Sequence, residues 1–158
     1  MNKKIDELKN EFSEKIAALE EKTPYEISYP KDGEKVYFIS FYSTSVQECN
    51  FDIYDGDDKR AYDIGLYFDT REEAEQFLKE QTLIKKIKCW AKEQQGDWKP
   101  DWNDVNEIKY HISFENNRLS IWRWYTNNLL TKLPCFKSQE IAQACIDEFG
   151  DEILEVFC

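Results

Sequence analysis

Apolar side chains at the start of the chain recur at steps of three and four: Ile5, Leu8, Phe12, Ile16 and Leu19 lie among lysines and glutamates. That spacing sets all five on one stripe of an amphipathic helix over residues 2–22, with Glu11 and Lys15 as an i,i+4 pair on its polar side. A helix of about three heptads is marginal alone in water, so its stripe needs a second surface: its own domain or the same helix of another copy. The expectation is a short coiled coil that joins two copies through these five residues. Pro24, Pro30 and Asp32-Gly33 then punctuate the chain.

From Val36 the period changes. "VYFISFYS" and "FDIY" are dense in aromatic and β-branched residues, and Asp55-Gly56 predicts a hairpin turn from "FDIY" towards "YDIGLYF", giving a meander of three strands. Thr70 and Glu73 have capping-box spacing and open a helix with the stripe Ala74, Phe77, Leu78, Ile84, Ile87 and Ala91, its acids early and most of its lysines late. It should stop at Gln95-Gly96. The linker "GDWKPDWND" follows, with Trp98 and Trp102 as anchors that pin it. In "EIKYHISF" the residues Ile108, Tyr110, Ile112 and Phe114 alternate with polar ones, which predicts one core face and one wet face. Asn116-Asn117 turns the chain into "RLSIWRWY", and Asn127-Asn128 turns it again into "LLTKLPCF". Ser138 caps a last helix striped by Ile141, Ala142, Cys145, Ile146 and Phe149, with Gly150 at its C-cap.

One phrase occurs twice. "YFDTREEAEQFLKE" and "CFKSQEIAQACIDE" align at an offset of 68 residues: Phe68 with Phe136, Thr70 with Ser138, Glu72 with Glu140, Ala74 with Ala142, Leu78 with Ile146 and Glu80 with Glu148. Each marks the junction where a sheet hands over to a helix, the phenylalanine under the first turn. The predicted class is therefore α+β: an N-terminal helix (1–23), then two repeated units of antiparallel β-meander plus helix (24–96 and 97–158), either as two lobes or as one merged sheet.

Thirty-two acidic residues against 21 Lys and Arg give a formal charge of −11. Such a balance argues against a DNA, RNA or anionic-membrane binder, whose affinity comes from clustered cations, and favours a basic partner; it also serves solubility. Five cysteines, odd in number and without C-x-x-C, point to neither a disulfide frame nor a zinc knuckle, and fit a reducing compartment. The charged N-terminus lacks the apolar run of a signal peptide, and no segment nears the ~20 apolar residues of a membrane span.

Candidate chemistry is sparse. The run "DIYDGDDKRAYD" fails as a calcium loop, because Gly56 at the sixth position puts Phe51 at the first, where a carboxylate is required. His111, the one histidine, falls on the predicted wet face without a second ligand beside it. Serine-hydrolase, nucleotide-loop and zinc-protease motifs are absent, so no enzyme activity, metal or cofactor is expected. Two acidic patches stand out: Asp52, Asp55, Asp57 and Asp58 at the expected hairpin tip, and Asp151, Glu152 and Glu155 in a stretch from Ser138 to Cys158 that holds six acids and no Lys or Arg. Trp122 and Trp124 share one strand face opposite Leu119, Ile121 and Tyr125. These nine residues form the expected partner-binding set, acids for steering and tryptophans for burial.

The order and spacing of "YPKDGEKVYFI", "YDIGLYFDTREEAE", "WKPDWN", "KYHI", "FKSQEIAQ" and "FGDEI" resemble a poorly characterised family of small phage and prophage accessory proteins, over nearly the whole chain. The resemblance implies action in the cytoplasm of a bacterial host, in a setting where such genes often encode inhibitors of host defence, including anti-CRISPR proteins. The expectation is a non-enzymatic inhibitor that covers a nucleic-acid-binding groove of a Cas effector, without touching nucleic acid or membrane itself. The alternative is a scaffolding accessory that self-associates through residues 2–22.

Overall fold

In the computed structural model, residues 9–12, 15, 25–125 and 131–158 are described. Helical residues 9–12 and 15 include the expected pair, Lys15 Nζ lying 2.7 Å from Glu11 Oε1. Of the five stripe residues only Phe12 is among those described; Ile5, Leu8, Ile16 and Leu19 lie outside them, as does the Asn127-Asn128 turn. The class is α+β, with two antiparallel sheets.

The first sheet has three strands, β1 (Lys35–Ile39), β2 (Val46–Asn50) and β3 (Tyr67–Phe68), in the order β2-β1-β3. It departs from a meander because β3 returns beside β1, pairing Tyr37 with Phe68, while β2 holds the other edge. The hairpin turn expected at Asp55-Gly56 is instead the start of a helix, α1 (Gly56–Asp63). Asp55 caps it by accepting from the Asp57 amide, and Asp57 and Asp58 place negative charge on its first turn. An Asp-Gly pair serves a hairpin or an N-cap equally well; the carboxylates that follow decide for the helix. A cluster of Tyr29, Phe38, Phe51, Tyr62 and Tyr67, with centroids about 6 Å apart, packs α1 on one face of the sheet. The other face carries α2 (Arg71–Gln95), Phe68 meeting Phe77 at 5.1 Å.

Helix α2 begins with the expected reciprocal capping box between Thr70 and Glu73 and ends at Gly96, whose φ is 63°. Its buried residues are Ala74, Leu83, Ile87 and Ala91. Phe77 stays 37% exposed and Leu83, not Ile84, is fully inside. The C-terminal half of this stripe belongs to a second core. There Leu83, Ile87 and Ala91 pack with Ile112, Phe136, Ala142, Cys145, Phe149 and Ile153, so burial crosses the boundary expected at 96/97.

The second sheet is the hairpin β4 (Lys109–Glu115) and β5 (Arg118–Trp124), turned by Asn116 and Asn117, both at positive φ as a tight two-residue turn requires. The third strand expected in "LLTKLPCF" reduces, among the described residues, to one bridge between Tyr110 and Phe136. Phe68 and Phe136 thus both pair antiparallel with the first strand of their sheet, just before a capped helix.

The last helix, α3 (Gln139–Phe157), starts at Ser138 as expected but runs through Gly150 instead of ending there. The apolar spacing continues past the glycine to Ile153 and Val156, and this decides the matter. A Cβ at Gly150 would meet Ile146 and Leu119 at 3.6 Å, an ordinary contact. Gly150→Ala should therefore raise stability by about 0.5–1 kcal/mol in urea unfolding, because a mid-helix glycine carries excess unfolded-state entropy.

Candidate functional site: a clamped linker, an apolar groove and an acidic helix

The polar face of β4 is not wet. Lys109 is 0% and His111 5% exposed, whereas Phe114, expected in the core, is 44% exposed. The cause is the linker 97–107, which folds over that face as a strap. Lys109 Nζ donates to the Asp104 and Tyr125 carbonyls, each at 3.0 Å, and pairs with Glu107 Oε2 at 3.1 Å, so all three of its protons have acceptors. Glu107 also accepts from the Trp98 indole at 2.9 Å and the Asp101 amide at 2.7 Å. Burial works against its charge, but these donors win and hold its carboxyl below the ordinary range. Trp98 and Trp102 thus pin the strap as expected, Trp102 stacking on His111 at 6.2 Å and lying 5.6 Å from the Lys109 ammonium. Lys109 and Glu107, which fasten it, were missed in the sequence; a lysine amid aromatics beside a Trp-rich linker was the available signal.

His111 has neither ring nitrogen partnered among the described residues, and burial pushes its pKa down. The unfolded chain takes up a proton at about 6.5, the folded chain only at lower pH. Stability therefore holds above that value and declines as the pH falls below it. Between pH 7.5 and 5 the parent should lose more stability than His111→Phe, read by urea midpoints at each pH.

The expected partner-binding residues fall on three surfaces. At α1, Asp52 accepts from the Tyr54 amide, Asp55 caps the helix, and Asp58 accepts from the Asp52 amide and the Tyr67 hydroxyl; Asp57 pairs with Arg60. Three of these four carboxylates are occupied in holding local structure. Trp122 and Trp124 lie in register with His111 and Lys109 on the strap side of the hairpin, Trp122 being 45% exposed. Asp151, Glu152 and Glu155 are on α3, which packs on the opposite face.

Helix α3 carries the clearest electrostatic feature. Glu140, Asp147, Glu148, Asp151, Glu152 and Glu155 are all exposed, and its last turn has no basic residue. Within the described residues Lys86, 2.6 Å from Glu152, is the one cation paired with any of the six. A separate apolar groove of about 240 Å3 lies at the first sheet, lined by Phe38, Ile39, Phe41, Leu66, Phe68 and Phe77. On the tip above it Phe41 is 89% and Tyr42 fully exposed.

Among the described residues no helix is long and apolar enough to cross a membrane, and no group of three or more His, Cys, Asp or Glu side chains converges as metal ligands would. No protein-family model matches the chain, and no curated protein or solved structure is significantly similar to it.

Proposed function

We propose that this protein is a non-enzymatic, phage-encoded inhibitor of a bacterial defence system, acting in the host cytoplasm by laying α3 against a basic, nucleic-acid-binding groove of a CRISPR effector. The phage setting and the effector rest on the sequence resemblance. The observation that carries the binding mode is the charge of α3. Its carboxylates from residue 140 to 155 run roughly 22 Å at 1.5 Å per residue, similar to a short stretch of phosphate backbone in charge and length. Asp147 and Asp151, Glu148 and Glu152, and Asp151 and Glu155 are like-charged i,i+4 pairs, each unfavourable by about 0.2–0.5 kcal/mol. Glu155 also sits against the negative end of the helix dipole. Helix α2 keeps the dipole rule that α3 breaks, with acids in its first turn and a lysine in its last, and uncompensated breaches of local rules gather at functional surfaces. The exposed Phe41 and Tyr42 at the first sheet offer apolar anchors in addition to the charge.

The test is the full chain with Asp151→Asn, Glu152→Gln and Glu155→Gln. Its melting temperature should stay equal or rise, since repulsion is removed and the Lys86 pair is half exposed. Capture of a nucleic-acid-handling effector from bacterial lysates, eluted by salt, should fall steeply. Undiminished capture would sink the electrostatic mode.

A scaffolding reading has one observation of its own: Phe12, on the N-terminal stripe, is 69% exposed among the described residues. Self-association there predicts a dimer in sedimentation that Phe12→Glu dissolves.

A further inference from the structure

The geometry points to a second, small-molecule site at the end of α2, one that binds a mononucleotide. Where the chain turns at Gly96 and the linker folds back, a cavity of about 340 Å3 opens, lined by Lys88, Lys92, Gln95, Trp98, Lys99 and Pro134. That volume falls within the range of small-ligand clefts. Three lysines line it in a chain of net charge −11, and none is ion-paired among the described residues. Asp97 shares the rim as its one carboxylate. The helix dipole accounts for Lys92 in the last turn of α2. It does not account for Lys99, which comes from the linker and adds a third like charge to the same hollow.

Trp98 supplies the other half of the recognition. Its indole N–H is already given to Glu107, so the ring has only its apolar surface left to offer the cavity, and that ring is fixed before any ligand arrives. Gln95 is fixed too, its amide bonding the Cys135 carbonyl and the Lys137 amide. A phosphate met by the lysines and a flat base stacked on Trp98 match this arrangement. A longer strand does not, because α3, packed against α2, carries six carboxylates and no cation.

Calorimetric titration of the full chain with AMP at low salt tests the site. Saturable heat is expected, weakened about tenfold or more by Lys92→Gln with Lys99→Gln, with an unchanged circular dichroism spectrum. Inorganic phosphate, lacking the base, should bind at least about tenfold more weakly. The proposal is overturned by absence of saturable AMP binding, by binding indifferent to the two lysines, by phosphate equalling AMP, or by affinity that climbs with the length of an oligonucleotide.

Discussion

Replacing Glu107 by alanine should remove about 3 kcal/mol of unfolding free energy, the low end of the loss expected when one partner of a buried ion pair is deleted, because Lys109 is fully enclosed but Glu107 is a quarter exposed. The magnitude follows from what stays behind. Lys109 is completely buried and would be left with only two carbonyls as partners, while the Trp98 indole and the Asp101 amide would lose their acceptor. Urea unfolding measures this directly, and the double variant Glu107→Ala, Lys109→Met discriminates its cause. If the orphaned ammonium dominates, the methionine should restore a large part of the loss, giving a strong coupling energy between the two sites. A single variant within about 1 kcal/mol of the parent would mean that the carbonyls alone hold the lysine.

The second large effect separates the two copies of the repeated phrase. Phe136→Ala should lower stability by about 3–5 kcal/mol, as a fully enclosed aromatic leaves a cavity that its neighbours cannot fill. Its ring is 0% exposed within the core shared by α2, β4 and α3. Phe68→Ala should lose markedly less, because Phe68 is only half-buried and its neighbour Phe77 already meets solvent. Equal losses, measured under the same urea conditions, would show that the aligned phenylalanines are equivalent in packing as well as in sequence.

Those two sites also mark where the sequence was legible. Capping residues read true, because Thr70, Glu73 and Ser138 act on amides within three positions and the signal is complete locally. Asn116-Asn117 read true for the same reason. The Asp55-Gly56 pair misled because two local structures use it, and the choice lay in Asp58 reaching back to the Asp52 amide and forward to the Tyr67 hydroxyl. Alternation along β4 misled because it assumes that a polar face meets water. Nothing within the strand announces that a linker from ten residues upstream will roof it and turn Lys109 into the most enclosed polar group of the hairpin. Of the expected site, the charge of α3 was plain from composition. The occupation of the α1 carboxylates by local hydrogen bonds could appear only in three dimensions.

The sharing of α2 has a further consequence for how the molecule can be divided. A chain severed at Gly96 would leave Leu83, Ile87 and Ala91 bare on one fragment and the matching surface of Ile112, Phe136 and Phe149 bare on the other. Neither half would possess a finished interior, yet each would display what the other lacks. Produced together, the two pieces should find one another and rebuild the whole, so that Gly96 is the natural cut for a two-part reporter whose signal depends on reassembly.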